Sequence, residues 1–340
     1  MKKIGILYGQ ERSFPMALIE KINSKGIDEV WAEPVRIHKV LQDEPTGYAV
    51  IIDRISQDVP FYRTYLKNAA LTGTAVLNNP FWWSADEKFF NNCLMTELGI
   101  PVPKTAVLPS FELPADTTHD SFLNLAYPLD WDKIFRYIGF PAYMKPVAGG
   151  GEVYRLKDAD DFFRKHGLTG QQTMMLQEAI HYDEYYRCFC VGGKYVHVMP
   201  FEPRNPPHQR YETSFQPGPD KLQQIEEIVL RINQYLGYDF NSVELAFRDN
   251  IPYAIDFCNP APDADRDSIG ESNFEWVVEN LANYAIERAL AQHEEGSNLT
   301  WGEYVRQSVK GKAPEPPKAR EKISPSRKKT SRKEEKENIG

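Results

Sequence analysis

The sequence predicts a protein of mixed α/β and α+β class. Its first eighty residues alternate short apolar strands with helical segments, which favours a small parallel sheet. Farther along, apolar runs flank Gly192-Gly193 and Asp249-Asn250, and such turn dipeptides are typical of β-hairpins. Between these regions an apolar strand ends in Lys145, shortly before a run of three glycines. We therefore expect a parallel domain followed by lobes built from hairpins and helices.

Length and composition limit the classes to which the protein can belong. The chain has 340 residues, of which 41% are hydrophobic, enough for a large core and two or three subdomains. It has no run of about 18 apolar residues, so no membrane partner is expected. The first strand starts close to Met1 without a signal-peptide pattern, which predicts a cytoplasmic protein. Cys188 and Cys190 could share a metal with His181 or His197, but ordinary strand cysteines are the favoured interpretation.

The N-terminal region contains the elements of the parallel domain in order. The predicted strands are 4–8, 30–35, 48–52 and 74–78, and the predicted helices between them are 14–22 and 61–71. Ligands of parallel sheets bind at the carboxyl ends of strands, where Asp53 and Arg54 follow the third strand. Arg54 could hold a substrate carboxylate, and an ion pair with Asp53 or Asp58 is an equally favoured alternative.

The middle of the chain supplies two lysines of different character. Lys88 follows a good N-cap at Ser84 in a predicted helix, where by itself it would be taken for a solvated residue. After a loop or insertion at 109–130 and a short helix at 131–139, Lys145 ends an apolar strand before Gly149 to Gly151. A buried strand rarely contains an unpaired cation, and glycines let backbone amides approach a phosphate closely. The sequence therefore predicts a phosphate-binding loop.

Two familiar nucleotide-binding motifs do not fit this loop. The lysine precedes the glycines, unlike in a P-loop, and no Gly-x-Gly-x-x-Gly follows the first predicted strand. The next apolar strand, 174–180, ends in polar residues and suits a flat base held against the main chain.

The C-terminal half is predicted to contain two hairpins and two helices. A polar turn at 181–187 precedes the hairpin 188–196, and helices are predicted at 222–236 and 272–291. A proline-rich loop at 202–219 contains Arg204, His208 and Arg210, which could bind an anionic acceptor. Solvated loop charges are an equally good explanation.

The second hairpin carries a candidate metal site. Glu244 and Asp256 each interrupt a mostly apolar run, and Asn259 follows shortly after. Two carboxylates and an amide oxygen are hard ligands of the kind that Mg²⁺ takes when it is shared with phosphates. A surface hairpin would also carry acids, but the surrounding apolar residues favour the magnesium interpretation.

Taken together, these segments resemble the ATP-grasp superfamily over roughly residues 1–292, with a layout closest to its RimK-like, carboxylate-amine ligase branch. The resemblance depends on the order and spacing of the pieces rather than on any one of them. These are Asn79 to Lys88, Gly99 to Thr105, Lys145 before the glycines, Gln177-Glu178, Arg187, and the two acids with Asn259.

The resemblance implies a fold and a nucleotide site. An N-terminal α/β domain (1–103) would precede a central lobe (104–180) and a C-terminal lobe (181–309), which clasp ATP, and a disordered charged tail (310–340). Lys88 and Lys145 would contact the ATP phosphates. The adenine would meet Gln177, Glu178, Ala179 and Ile180, and the ribose would meet Asp183 or Glu184.

The resemblance also implies the catalytic groups. Arg187 would stabilise the phosphoryl group during transfer, and Glu244, Asp256 and Asn259 would hold Mg²⁺. One departure concerns Asn259, which lies three residues after Asp256 where the family usually has two, with Cys258 at the expected place. Asn259 could reach the metal only if the strand bulges or ends at Phe257.

The implied activity is ATP-dependent ligation of a carboxylate to an amine or a thiol through an acylphosphate, on an amino acid or peptide-like substrate. The lack of a persuasive Ser-His-Asp or Cys-His arrangement agrees with a reaction that needs no side-chain nucleophile. The alternative is an ATP-binding module without catalysis, for which the displaced Asn259 is the support. Both lysines and Arg187 are in place, which favours catalysis. The oligomeric state is left open.

Charge is distributed unevenly along the chain. Residues 310–340 contain eleven Lys or Arg and five Glu, a net charge of +6, so the rest of a chain of formal charge −8 carries −14. An acidic body does not suggest a specific nucleic-acid binder. The mixed-charge tail could make nonspecific contact with an anionic surface or fold back onto the body.

We predict that deleting residues 311–340 leaves both ATP turnover and the thermal unfolding midpoint unchanged. The segment has no apolar face to bury and contributes no residue to the implied site. Steady-state turnover and a thermal melt of the truncated and full-length proteins check this. A marked loss of either in the truncated protein would show that the tail belongs to the working structure.

Overall fold

Five stretches of the chain are described in the computed structural model. They are residues 1–81, 88–126, 128–148, 151–211 and 215–292. The tail, the end of the expected C-terminal lobe (293–309), the N-cap at Ser84 and two of the three loop glycines lie outside these ranges. Within them, the expected mixture of α/β and α+β structure is confirmed. None of the described helices has the length and apolar character needed to span a bilayer.

The first sheet is parallel, as the alternating strands and helices predict. Its strand order is β2-β1-β3-β4, and all pairings are parallel. The strands are β1 (Lys2–Leu7), β2 (Val30–Pro34), β3 (Val50–Asp53) and β4 (Ala75–Leu77), with helices α1 (Phe14–Ser24) and α2 (Pro60–Leu71) between them. Each helix has a proline in its first turn, where the missing amide proton costs nothing. This sheet presents its carboxyl ends to the rest of the molecule.

The second sheet is antiparallel and carries the predicted phosphate-binding strand at its centre. Its order is β5-β8-β6-β7, built from β5 (Thr105–Leu108), β6 (Ala142–Pro146), β7 (Tyr154–Leu156) and β8 (Met174–Glu178). Helices α4 (Trp131–Ile138) and α5 (Ala159–His166) cover one face, with Asp130 and Asp158 as side-chain N-caps. The opposite face contains Lys145.

The third sheet is also antiparallel and contains both predicted hairpins. Its order is β10-β9-β11-β12, with β9 (Glu184–Val191), β10 (Tyr195–Pro200), β11 (Phe240–Arg248) and β12 (Ile251–Asp256). Both residues of each turn have positive φ, at Gly192-Gly193 and at Asp249-Asn250, as two-residue hairpin turns require. A Cβ at Gly192 would lie 2.7 Å from ring carbons of Tyr284, so this turn also needs the close approach that glycine allows.

Helices join the first and third sheets into one core. Helix α8 (Glu271–Ala291) packs against α1 and β1 and also against β9 and β10. One buried cluster accordingly contains Ile4 and Phe14 together with Phe189 and Phe240. Helix α3 (Lys88–Glu97) and helix α6 (Pro219–Leu236) pack against the other side of the third sheet. A short helix, α7 (Arg266–Ile269), precedes α8.

Several local expectations were wrong. Residues 184–187 were predicted as part of a polar turn, but they form the start of β9, because Tyr185 and Tyr186 are buried between β10 and β11. The pairing of this segment with its neighbouring strands outweighs its polar composition, which by itself favours a turn. The strands β5 and β7 and the helix α5 were not predicted.

Asn78 connects the first sheet to the third. Its amide nitrogen donates to the carbonyls of Phe240 (2.6 Å) and Pro260 (2.7 Å). Its amide oxygen accepts from the backbone of Asp239 (2.7 Å) and Phe240 (2.8 Å). Asn78 is buried, so these four contacts replace the water that each group has lost.

We predict that Asn78→Ala lowers the free energy of unfolding by about 3 kcal/mol, because it leaves buried backbone groups without partners. Chemical denaturation of both proteins measures the change. Asn124→Ala, at an exposed loop position, is the control and should change stability by less than about 0.5 kcal/mol. Equal effects of the two substitutions would contradict a junction role for Asn78.

Candidate active site

Three functional candidates lie side by side on the third sheet. Glu244 on β11 is the direct cross-strand partner of Arg187 on β9 and of Asp256 on β12. Direct partners on adjacent antiparallel strands point to the same face, with Cβ atoms about 5 Å apart. The register therefore forms a row of one guanidinium and two carboxylates across three strands.

Burial and charge make this row sensitive to its surroundings. Burial raises the pKa of Glu244, and the neighbouring Asp256 carboxylate raises it further. Arg187 and a hydrogen bond from the Tyr185 hydroxyl (2.5 Å) oppose this rise. Two adjacent acids in a partly dry site favour a cation between or beside them.

The second sheet supplies the cations. Lys145 on β6 lines a small pocket together with Lys88, Asn91, Asp256 and Cys258. Burial lowers the pKa of Lys145, while the Asp256 carboxylate opposes this effect and Lys88 adds to it. The backbone amide of Lys88 donates to the carbonyl of Val147 (2.9 Å), which fixes the start of α3 beside the strand that carries Lys145. Both predicted phosphate contacts therefore lie in one pocket with Asp256.

The predicted metal ligands fit a magnesium ion in part. Glu244 and Asp256 are hard oxygen donors on one face. Strand β12 ends at Asp256, one residue before Phe257, and its pairing with β11 shifts register between Glu244 and Leu245. Strand alternation therefore does not determine the direction of Asn259. Among the described residues, no group of three or more His, Cys, Asp or Glu side chains could hold a metal. A bound ion would therefore also need the Asn259 amide and ligands from the nucleotide.

A second asparagine holds the segment that follows β12. The side chain of Asn241 donates to the Phe257 carbonyl (2.8 Å) and accepts from the Asn259 backbone amide (2.8 Å). The Asn259 amide nitrogen donates to the Ser242 carbonyl (3.2 Å), which leaves its amide oxygen as the group that could ligate a cation.

The predicted adenine hinge lies where the two antiparallel sheets meet. Gln177 is buried and donates to the Thr105 hydroxyl (3.1 Å), so its side chain supports the strand. Glu178 accepts from Arg248 of the third sheet (3.0 Å), an ion pair that joins β8 to β11. Ile180 packs against an apolar cluster of the third sheet, and Ala179 is half-buried beside it.

The two ribose candidates differ in availability. The Glu184 carboxylate accepts from Lys221 (2.7 Å) and from the Tyr186 hydroxyl (2.5 Å). Asp183 is exposed, and its backbone amide is held by the Phe247 carbonyl (2.9 Å). The geometry favours Asp183 as the ribose contact.

Arg187 is held from several sides. Its guanidinium donates to the Tyr211 hydroxyl (2.5 Å) and to the Asp263 carbonyl (3.2 Å), and it lies 5.4 Å from the Phe189 ring centre. Its Nε is buried and has no hydrogen-bond partner among the described residues. A buried cation with an unused donor suits a group that meets a negatively charged ligand.

The structure gives Arg54 partners other than the expected aspartates. Its guanidinium donates to the Glu11 carboxylate and to the Pro262 carbonyl (2.8 Å), and the ring of Phe14 lies 5.0 Å away. An ion pair with Asp53 or Asp58 is therefore wrong. The Asp53 carboxylate instead accepts from the amides of the loop that follows it and from the Ser56 hydroxyl.

The two loop arginines also have local partners. Arg204 is exposed, bridges both oxygens of Glu202 and stacks on Tyr182 at 4.5 Å. Arg210 donates to the carbonyl of Asn205 (3.3 Å). Arg204, which is paired with a carboxylate, is therefore less available to a ligand than Arg210.

The cysteine pair is structural, as the favoured interpretation held. Cys188 and Cys190 are buried in the core against α6. His197 contacts Asn273 (2.8 Å) and stacks on Trp276, and His181 is exposed.

Sequence reasoning missed several residues that shape this site. They are Arg248, Asn241, Tyr185 and Tyr211. A polar side chain within an apolar strand run is the signal that could have found Asn241, as it found Glu244. Arg248 and Tyr211 depend on partners far away in sequence and carry no such signal.

We predict that Glu244→Gln raises the free energy of unfolding of the ligand-free protein at neutral pH by about 1 kcal/mol, because a buried carboxylate beside another becomes neutral while the acceptor for Tyr185 remains. Chemical denaturation without divalent ions measures this. Glu97→Gln, at an exposed position of α3, is the control and should be neutral. A loss of stability in Glu244→Gln would mean that the attraction to Arg187 dominates.

Comparisons with known proteins concern the fold. No family model and no curated protein matches the chain. A RimK-domain ATP-grasp protein from Sphaerobacter thermophilus matches with 18% identity and a TM-score of 0.57, covering 84% of this chain and 99% of that chain. A D-alanine–D-alanine ligase from Bacillus anthracis matches with 15% identity and a TM-score of 0.57, covering 85% and 97%. The ATP-grasp ligase PsnB, bound to a minimal precursor, Mg and ADP, matches with 14% identity and a TM-score of 0.57, covering 84% and 97%.

Proposed function

We propose that this chain, which has the ATP-grasp fold, is an ATP- and Mg²⁺-dependent ligase that joins a carboxylate to an amine. The observation that carries the proposal is the convergence of charges from two sheets. Lys88 and Lys145 meet Asp256 in one pocket, and Asp256 continues the row formed by Glu244 and Arg187. This set of cations and acids matches what phosphoryl transfer from a nucleotide needs.

The nucleotide would lie between the second and third sheets. We place the adenine against the main chain of Gln177 to Ile180, with the apolar cluster around Ile180 beneath it. Asp183 would meet the ribose, in preference to the ion-paired Glu184. Lys88 and Lys145 would contact the phosphates. The ATP-grasp ligase PsnB, which has a similar fold, has been solved in complex with Mg and ADP, and this supports both cofactors for the proposal.

Glu244, Asp256 and Asn259 would hold Mg²⁺. When bound, the ion would neutralise charge on the phosphates. Without it, two carboxylates would repel the triphosphate, so the row is suited to nucleotide binding only together with a divalent cation.

The protein would work by positioning groups and compensating charge. A substrate carboxylate oxygen attacks the γ-phosphate, the bond to the β-phosphate oxygen breaks, and ADP and an acylphosphate result. Lys145 and Arg187 compensate the charge on the group in transfer. An amine then attacks the acyl carbon and releases phosphate. No side chain forms a covalent bond in this scheme. This agrees with the lack of a persuasive Ser-His-Asp or Cys-His arrangement in the sequence.

The substrate class is the least determined part of the proposal. We infer an amino acid or peptide-like acid, because the solved ligases of similar fold are named for D-alanine and for a precursor peptide. Arg54, Arg204 and Arg210 were predicted as its contacts. Arg210 is the best placed to serve, since Arg54 and Arg204 are already paired with carboxylates.

A second candidate is an ATP-binding module without catalysis. The observation that favours it is the tethering of Asn259 to Ser242 and Asn241, which leaves one amide oxygen for a metal. Such a module would bind ATP with Mg²⁺ without releasing ADP in the presence of any acceptor.

We predict that Arg187→Met lowers turnover by about 10² to 10³ while ATP binding is retained, because Arg187 would act mainly on the transferring group. ADP and phosphate release is measured with ATP, Mg²⁺ and pooled amino acids, and ATP affinity is measured by calorimetry. Arg155→Met, at an exposed position on β7, is the control and should match the wild type. Release of AMP instead of ADP would contradict the acylphosphate route.

A further inference from the structure

A second cavity lies behind the sheet that carries Lys145. Alternate residues of a strand face opposite sides, so Met144 points away from Lys145. Met144 and Met174 belong to the core beneath α4 and α5, whereas Lys145 faces Asp256 of the third sheet. The cavity lies on the Met144 side, next to α4 and α5, and is therefore separated from the proposed nucleotide site by the sheet itself.

The cavity has the size and lining of a small-molecule site. Its volume is about 540 Å³, within the range of roughly 300–1,000 Å³ for ligand pockets. Besides Ser110, His166 and Thr173, every described lining side chain is apolar, and none carries an acid, a lysine or an arginine. Because 26% of the residues in the chain are charged, a cavity lining without charged side chains is unusual.

Aromatic rings line part of the cavity. Trp131 and Phe163 meet edge to face with ring centres 5.5 Å apart. His166 is buried beside them, with its Nε2 3.2 Å from the Pro109 carbonyl, and burial lowers its pKa, so the imidazole is neutral at pH 7. A planar apolar group could pack against these rings.

The rim leaves apolar surface in contact with water. Phe111 is 55% exposed, Leu125 is 44% exposed and Phe163 is 46% exposed, although all three line the cavity. Surface of this kind that is concave rather than scattered is typical of a binding site.

We propose that this cavity binds an uncharged, mainly apolar small molecule that contains an aromatic ring. None of the described lining residues carries a charge, so an ionic ligand would lose its water without gaining an oppositely charged partner. The hydroxyls of Ser110 and Thr173 could satisfy one or two polar atoms of the ligand. Phe111 and Leu125, from separate segments of the chain, both line the cavity, which suits a compact ligand better than a flat protein surface.

The test uses N-phenyl-1-naphthylamine, a neutral fluorescent probe, titrated into the full-length protein. We expect saturable binding that Leu125→Glu and Leu125→Arg each weaken by about tenfold or more, because either charge would have to lose water when the probe enters. Leu125→Met should stay within about twofold. Leu123→Glu is the matched control, since Leu123 is 86% exposed on the same loop and does not line the cavity. Thermal melts confirm that every variant folds.

Three results would overturn the proposal. The first is an equal loss of affinity in Leu123→Glu and Leu125→Glu. The second is competition between the probe and saturating ATP with Mg²⁺, which would place the probe in the nucleotide cleft. The third is concentration-dependent self-association that Leu125→Glu abolishes, which would make this face an interface between copies of the chain. None of these results depends on ligase activity, so the proposed function is tested separately.

Discussion

The pairing of Glu244 with Asp256 on adjacent strands is the constraint around which the structure is arranged. Antiparallel register places these carboxylates side by side, and burial makes their shared negative charge costly. Cations must come from elsewhere to compensate it. Arg187 supplies one from the same sheet, and Lys145 supplies another from a different sheet. Electrostatic balance in this row therefore requires the second and third sheets to face one another, which creates the cleft in which we place the nucleotide.

The loop after β12 shows how the first sheet contributes to the same site. Asn78 donates to the carbonyl of Pro260, Arg54 donates to that of Pro262, and Arg187 donates to that of Asp263. Three donors from separate strands or strand ends thus hold three carbonyls within four residues of one loop. Backbone carbonyls fixed in this way cannot shift without breaking buried hydrogen bonds. The burial of Arg54 is explained by this support role, whether or not it also meets a substrate.

Local patterns predicted much of the fold and of the site. Glycines and Asp249-Asn250 predicted both hairpins, because two-residue turns need positive φ. Acids and a lysine within apolar runs indicated Glu244, Asp256 and Lys145 as candidate site residues, because burial of a charge has a large cost. The interactions of Arg248 with Glu178 and of Asn78 with Phe240 could not be predicted, since they join residues 70 and 162 positions apart. For the same reason the predicted strand starts at residue 188, four residues later than β9. Residues 184–187 are extended only because they pair with β10 and β11.

The spacing of Asn259 illustrates how tertiary contacts can replace strand periodicity. Within a strand, a residue three positions after Asp256 would point to the opposite face. Strand pairing ends at Asp256, however, so alternation no longer determines where residues 257–259 point. The buried side chain of Asn241 fixes them instead, through the Phe257 carbonyl and the Asn259 amide. A spacing of three residues is thus compatible with an amide oxygen near the acids. The same change in direction explains why Cys258 lies beside Lys145 and Asp256.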